Sequence, residues 1–600
     1  MASYPKKAIV VGLDGCTPDF IERMIDNDRL PNIKRFLHEG TLAPHTFSSL
    51  PTSTPENWTS IATGAWNGAH QVMSFQTFQP PELKGRSMSG YSSEESESEF
   101  VWDALDRAGK TTILLKYPAS WPPTAERLVQ ICGCHVRPCL HQLDGSYLWA
   151  TIERNGAVPL ELREAEGWSN VPAADPPPLE AEITYGHRFD PDNPEAGGLN
   201  VPACKIPAGG KRYHVLLYGK HGQYRALAVC REKDLETAIA DLTPGEWSEW
   251  LLEDFDTEDG PRQGSFRLRL EELSPEADAV RLFSTHVMDV DHYTYPEQVS
   301  RELYEAVGPY ICDMGWDAMG HRRSRDWIQP ETFIELCDYQ HRWMSDALAH
   351  LTATRDWTLA MMQVHCIDCI NHYCMNFAEP AANPNAEQSA YYLGLIEQLY
   401  ESLDRMVGRI VGAADEDTVI VLVSDHGGMA DGPQPPLEDI LVDAGLAERD
   451  ADGGIDRSRS PAYRSGSNFV NVHLKERDEG GTVDPGDYAS VQDRIIAALM
   501  EYVEPTTGRH PFSLALRKED ARILGLWGDP TGKKIGDVCF ALREGFGGTH
   551  GHQLSSAKWG LGSNQSLLAL RGPGIRKGHR LERTTWLVDV VPTLCYLLDV

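Results

Sequence analysis

Short apolar runs recur along this chain, and most are closed by a polar residue of a chemically useful type. The first, Ala8-Ile-Val-Val-Gly-Leu13, shows no polar alternation, as expected of a strand buried on both faces. Asp14-Gly15 ends it, and apolar residues return at helical spacing from Asp19 to Leu37. Pro55 suits a first helical position, so a short helix is predicted over residues 54–63, with Thr54 as its cap. Residues 110–115 predict another strand, closed by Tyr117-Pro118.

From about 120 to 207 the chain is rich in Pro, Gly and charge, with little periodicity. Residues 213–218, 224–229 and 266–270 then predict short strands separated by turn residues. Helical patterns cover 330–351 and 390–411, and apolar runs cover 357–364, 419–423 and 566–570. Strands alternating with helices imply an α/β fold, a mostly parallel central sheet with helices on both faces. The expected organisation is a core of residues 1–118 and 355–600. An inserted cap spans 119–354, with a small β-rich region at about 210–272 and a helical return at 330–352. The chain stops at Leu597-Leu-Asp-Val600, within a helix that lacks a Gly cap, so its end is expected to fray.

A formal charge of −33 argues against a broad basic face for a nucleic-acid polymer. It leaves room for a small phosphate-bearing substrate, because bound cations reverse the field locally. No run approaches the roughly 18 apolar residues of a membrane span, and the N-terminus lacks an h-region with a cleavage site, so the expected location is cytoplasmic. Thirteen cysteines in 600 residues fit scattered thiols better than a disulfide scaffold. Cys366, Cys369 and Cys374 cluster, but no second pair stands at zinc-ribbon spacing, so a structural zinc knuckle is not expected there.

The chemistry lies just past the strands. Asp14 follows the first; His365 and Asp368, with His372 four residues on, follow Val364; Asp425 and His426 follow Val423. His550 sits in Gly-Gly-Thr-His-Gly before the last strand. In such sheets ligands bind at the carboxyl ends of the strands. Carboxylates and imidazoles are the donors that a zinc or manganese ion takes. Asp368 and His372 would share one face of a helical turn, and Gly427-Gly428 would let Asp425 and His426 turn into one site. Singly, each residue is more ordinarily a cap or turn residue; their common placement carries the reading.

The order Asp14, Thr54, Asp368-x-x-x-His372, Asp425-His426, His550 resembles that of the alkaline phosphatase superfamily, and most closely its type I phosphodiesterase and nucleotide pyrophosphatase branch. Val11-Gly-Leu-Asp-Gly-Cys-Thr-Pro-Asp19, Leu30-Pro-Asn-Ile33, Thr54-Pro-Glu-Asn-Trp-Thr-Ser60, Lys116-Tyr-Pro118, Gly572-Pro-Gly-Ile575 and Asp589-Val-Val-Pro-Thr593 are similar to a bacterial group of predicted phosphohydrolases and phosphomutases. The resemblance covers the first hundred or so residues and from about 355 onward.

That resemblance implies an alkaline-phosphatase-like fold and two divalent ions, zinc or manganese. One would be held by Asp368, His372 and His550. The other would be held by Asp14, Asp425 and His426, with Thr54 beside it as both ligand and nucleophile. It further implies hydrolysis of a small phosphoester through a phospho-Thr54 intermediate, with a lean towards diesters or nucleotide-like substrates. Thr52 and Ser53 are the fallback nucleophiles. A transferase or phosphomutase using the same site, or a non-catalytic phospho-ligand-binding relative, are the alternatives. A sulfatase is disfavoured because Thr54-Pro-Glu-Asn-Trp lacks both the convertible Cys or Ser and the Arg. The nucleotide pyrophosphatase branch carries a phosphoryl-holding Asn where this chain has His70-Gln-Val-Met-Ser-Phe75, so that group is absent or comes from elsewhere, with Asn57 a candidate. Asn57, Lys116, His365 and His552 are candidates for substrate binding. His365 is also a candidate for standing behind the ligands, and His552, two residues past His550, is the alternative to it as a metal ligand. Lys116, His135, Arg322, Arg323 and Arg325 are candidates for a second charged group of the substrate.

Overall fold

The computed structural model describes residues 4–78, 87–132, 142–186, 205–312, 326–527, 535–555, 558–559 and 562–600. His135, Arg322, Arg323 and Arg325 lie outside the described residues. The chain divides into two compact units, Met1–Gln130 with Leu351–Val600, and Ile131–His350.

The first unit is built on a central sheet. Its elements include strand β1 (Lys7–Leu13), helices α1 (Pro18–Asp26) and α2 (Pro31–His38), strand β2 (Thr41–Leu42), helix α3 (Thr54–Thr63) and strand β3 (Thr112–Leu115). Strand β4 (Leu359–Val364), helices α4 (Cys366–Ala378) and α5 (Ala386–Ala413), and strand β5 (Thr418–Val423) follow. Strands β6 (Leu568–Arg571) and β7 (His579–Arg580) and helix α6 (Val590–Leu598) complete it.

Neighbouring strands in this sheet run β3-β4-β1-β5-β6-β2-β7. The pairings β3–β4, β4–β1 and β1–β5 are parallel, and β6 runs antiparallel to both β5 and β2. Helices cover both faces, and β4 and β5 are buried along their whole length, which explains their unbroken apolar sequences. The register matters most for the site. Leu13 pairs with Val364 and Gly12 with Val423, so the residues that follow β1, β4 and β5 emerge at one edge.

Some expected boundaries shift, for identifiable reasons. The helical pattern from 19 to 37 is two helices, because Pro31 starts a new one after Leu30. The Leu30-Pro-Asn-Ile33 motif has a structural task. Buried Asp404 of α5 accepts hydrogen bonds from the backbone N–H groups of Asn32 (3.2 Å) and Ile33 (2.7 Å) and from the Asn32 side chain (2.8 Å), capping α2. Helix α3 begins at Thr54 with Ser53, not Thr54, in the extended capping position. The last helix is closed rather than frayed: Asp599 takes the left-handed conformation at φ 55°, and the Val600 N–H donates to the Cys595 carbonyl at 3.1 Å.

The first unit also holds an unanticipated antiparallel sheet, ordered Ala462–Ser465, Phe469–Val472, Val538–Leu542, Phe512–Arg517, with helix Tyr488–Glu501 packed on it. The second unit is antiparallel β-structure reaching well outside 210–272. It includes Tyr147–Ala150, Leu179–Tyr185 and Val280–Ser284, around a core containing Trp149, Tyr185, Phe255 and Phe266. The run expected as one strand at 266–270 breaks at Arg267, whose N–H donates to the Thr285 hydroxyl at 3.0 Å. Helix Pro330–Thr354 lies where the helical return was expected.

Candidate metal centre

The shared edge of β1, β4 and β5 gathers donor atoms densely. Asp14 leaves β1 and turns at Gly15, whose φ of +69° suits glycine. A Cβ on Gly15 would stand 2.9 Å from the Asp368 Cα, so two ligand-bearing segments touch through this glycine. Asp368 and His372 lie one turn apart on α4, with His372 Nε2 3.3 Å from Asp368 Oδ2. Asp425 and His426 follow β5. Neither Gly427 nor Gly428 takes a positive φ. Gly427 is needed because a Cβ there would sit 1.7 Å from the Ser563 carbonyl oxygen, so close packing rather than bending explains it.

Three donor sets have all their ligand atoms within 4.8 Å of one another: Asp14, Asp425 and His426; Asp368, His426 and His550; and Asp14, His365 and Asp368. His372 joins the second set through Asp368 and through His550, whose Nε2 is 3.1 Å from its own. None of these sets, among the described residues, contains a cysteine. Cys369 comes near only by its Sγ, 3.7 Å from His365 Nδ1.

Hydrogen bonding shows how the donors are aimed. Asp14 Oδ2 accepts from Gln363 Nε2 (2.7 Å) and Trp58 Nε1 (3.0 Å), while its buried Oδ1 accepts no hydrogen bond. Asp368 Oδ1 and Asp425 Oδ2 are likewise buried without one. His426 Nδ1 faces the Gly427 carbonyl at 2.8 Å and His550 Nδ1 faces the Thr52 carbonyl at 3.2 Å. A carbonyl only accepts, so both Nδ1 atoms carry the proton and both Nε2 lone pairs point into the cluster. The His426 and His550 rings stack with centroids 3.8 Å apart.

This arrangement is electrostatically unbalanced as protein alone. Burial pushes the Asp14 carboxyl up. Burial and then the charges of Asp14 and Asp368 hold Asp425 well above the usual carboxylate range. Burial works against Asp368 too, but the His372 and His550 imidazoles keep it well below that range. Burial and the neighbouring His426 push His550 well down. Three buried carboxylates with unfilled oxygens and imidazole lone pairs aimed among them form a donor set suited to divalent cations.

Thr54 is buried at the first turn of α3, its hydroxyl 3.3 Å from His426 Nε2. The fallback hydroxyls are engaged elsewhere. Ser53 donates to Glu56 at 2.9 Å, while Thr52 donates to the Gln553 carbonyl at 3.1 Å and accepts from the Gly551 N–H at 3.1 Å. Asn57 accepts from the Ser49 N–H (2.8 Å) and donates to the Pro51 (3.0 Å) and Ser53 (2.9 Å) carbonyls, so its amide holds the loop that presents Thr54. His365 sits beside Asp368, Nε2 to Oδ2 at 3.1 Å. Lys116 is fully buried one residue past the Leu115–Met362 pairing, at the carboxyl end of β3. His552 is outside the donor sets; its Nδ1 is buried without a hydrogen bond, and its carbonyl accepts from the Leu542 N–H at 2.8 Å.

The model of one protein family, described as type I phosphodiesterase / nucleotide pyrophosphatase, matches residues 8–190 and 276–563. The chain belongs to the type I phosphodiesterase/nucleotide pyrophosphatase family. It is therefore a hydrolase of phosphoric esters. A search of the curated proteins returns no match. Among solved structures, phosphonoacetate hydrolase from Sinorhizobium meliloti 1021, in complex with phosphonoacetate, is 12% identical with a TM-score of 0.47, covering 100% of this chain and 97% of that one. Inactive murine ectonucleotide pyrophosphatase/phosphodiesterase 5 with AMP is 12% identical with a TM-score of 0.41, covering 99% and 95%. Wild-type alkaline phosphatase PafA is 13% identical with a TM-score of 0.47, covering 100% and 96%.

Two donors to Asp14, Trp58 and Gln363, have no motif signature that marks this role; Trp58 lies within the α3 motif. Gln363 left a detectable signal, a polar side chain inside the otherwise apolar strand β4. Among the described residues no helix is long and apolar enough to cross a membrane.

Proposed function

We propose that this phosphodiesterase-family chain hydrolyses a small phosphoester, leaning to a diester or nucleotide-like substrate, through a covalent phospho-Thr54 intermediate at a centre for two divalent ions, zinc or manganese. One observation carries the reading: the Thr54 hydroxyl is sealed at a helix start 3.3 Å from His426, within the only gathering of metal donor sets among the described residues. Asp14, Asp425 and His426 would hold one ion, with Thr54 beside it. Asp368, His372 and His550 would hold the other.

When bound, the ions supply positive charge that acidifies a hydroxyl or water and neutralises phosphoryl oxygens. The chain's own groups do the rest. The first turn of α3 directs backbone N–H groups towards an anion at Thr54. Asn57 fixes the loop from Ser49 to Ser53, so the hydroxyl is held in one orientation. The Thr54 oxygen attacks phosphorus, the ester oxygen departs with its electron pair and takes up a proton, and phosphothreonine forms. Water then attacks that phosphorus, the Thr54 oxygen leaves, and the hydroxyl is restored. A monoester yields phosphate and a diester yields a phosphomonoester. The family match supports phosphoester chemistry, and the three buried carboxylate oxygens without hydrogen bonds, with the aimed His426 and His550 Nε2 atoms, support the metals. A cytoplasmic location remains part of the proposal.

The test is turnover of p-nitrophenyl phosphate, bis-p-nitrophenyl phosphate and p-nitrophenyl phenylphosphonate by purified protein supplied with zinc or manganese. Activity should vanish with EDTA and fall at least ~1,000-fold in Thr54→Ala while metal content is kept. A protein that binds no divalent metal would refute the proposal.

A further inference from the structure

Asp431 lies six residues past Asp425 and belongs to none of the donor sets, yet it joins three of the segments that carry them. Its Oδ1 accepts from the Thr549 hydroxyl at 3.0 Å, beside His550. Its Oδ2 accepts from Asn376 Nδ2 at 3.0 Å, and its own backbone N–H donates to Asn376 Oδ1 at 2.6 Å. Asn376 sits on α4 four residues past His372, one helical turn along the same face. The backbone repeats the tie: the Met429 N–H donates to the Thr549 carbonyl at 2.9 Å and the Gly432 N–H to the Gly547 carbonyl at 2.9 Å. A Cβ on Gly432 would stand 1.9 Å from the Gly545 carbonyl oxygen, so the two loops are in close contact.

We infer that Asp431 is a positioning residue for the Asp368–His372–His550 half of the centre, a carboxylate that orients that half from behind and makes it competent to hold a divalent ion. This rests on the metal-centre reading above. The carboxylate has two oxygens and spends them on two different ligand-bearing segments, α4 and the Gly-rich loop. A shift of α4 at Asn376 or of the loop at Thr549 would disturb a bond to Asp431. Loss of outer partners that hold ligand-bearing segments in place costs about 10–100-fold in metal affinity. The other half of the centre has its own fixation, Gln363 and Trp58 on Asp14. The effect of Asp431 is therefore confined to one of two sites.

Asp431→Asn tests this, because it keeps the shape and can still accept from Thr549 while removing the charge and the acceptor for Asn376 Nδ2. The metal-free protein is titrated with zinc by calorimetry and with cobalt by its visible absorption, reading each of two equivalents. The expected result is one equivalent bound as in the wild type and the other weakened about 10–100-fold, with an altered cobalt spectrum for that equivalent alone. Thr549→Val, which removes one hydrogen bond, should weaken the same equivalent to a smaller extent. A merely structural role predicts a lower melting temperature of the metal-free protein with both equivalents weakened alike or neither, and that outcome overturns the inference. Two wild-type affinities in Asp431→Asn overturn it as well. A wild type that binds no metal at all overturns the metal-centre reading itself, so the two failures are distinguishable.

Discussion

The two halves of the proposed centre are built differently. Asp14, Asp425 and His426 hang from the ends of two paired parallel strands and are completely buried. Asp368, His372 and His550 come from a helix and a Gly-rich loop, and the His372 side chain keeps 18% of its surface exposed. The strand-borne half inherits its geometry from the sheet's hydrogen bonds, which cannot slip without turning β1 and β5 over. The helix-and-loop half needs tethers supplied by side chains, Asn376 and Thr549 on Asp431. Completely buried donors are out of reach of bulk solvent, so a lost one is not replaced from it, whereas bulk water can reach a position vacated by His372.

The largest test of that contrast compares two ligand removals. Asp425→Asn should lower kcat/KM at least ~1,000-fold at any metal concentration, since the buried site has nothing to substitute for the charge. His372→Gln should lower it about 10–100-fold, with part of the loss recovered as zinc is raised. Equal losses, neither recoverable, would show that exposure does not separate the halves. A smaller effect is expected from Trp58→Phe, which removes one of the two donors on Asp14 Oδ2 and leaves Gln363. The sealed site should lose about tenfold in metal affinity by competition with a chelator, the other site being unchanged. Weakening of the helix-borne site instead would contradict the division drawn here.

The smallest expected effect concerns His552, on the loop that carries His550. Burial, and then the charge of Arg464, push its imidazole from 6.5 down to about 4. The folded protein thus leaves His552 neutral where the unfolded chain protonates it, so stability from this group is intact above 6.5 and lost as pH falls towards 4. At pH 5 the loss amounts to about 2 kcal/mol. His552→Gln should therefore flatten the fall in melting temperature of the metal-free protein between pH 7 and 5. Parallel curves for variant and wild type would remove His552 from the account.

Much of the core was legible because a buried parallel strand and a helical ligand pair leave strong local patterns. The runs ending at Leu13, Val364 and Val423 are strands β1, β4 and β5, and Asp368 and His372 share a helical turn. Less was legible where local pattern is weak. Strands Tyr147–Ala150 and Leu179–Tyr185 lie in Pro- and Gly-rich sequence, and the sheet of 462–542 is assembled from segments far apart in the chain.

By itself, then, the order of residues determined which side chains stand at strand ends and which types of donor they are, because hydrophobic periodicity and chain adjacency are local properties. Tertiary structure alone decided that Leu13 pairs with Val364 and Gly12 with Val423, that the Thr54 hydroxyl meets His426, and that Asn57 braces a loop. It likewise decided that Asp431 reaches both α4 and the Gly-rich loop. The strand pairings and the Thr54–His426 contact bring together segments hundreds of residues apart, and the Asp431 contacts span 55 and 118 residues, all packed as register and burial dictate and local pattern does not. The Asn57 brace is near in sequence but needs the folded turn from Ser49 to Ser53.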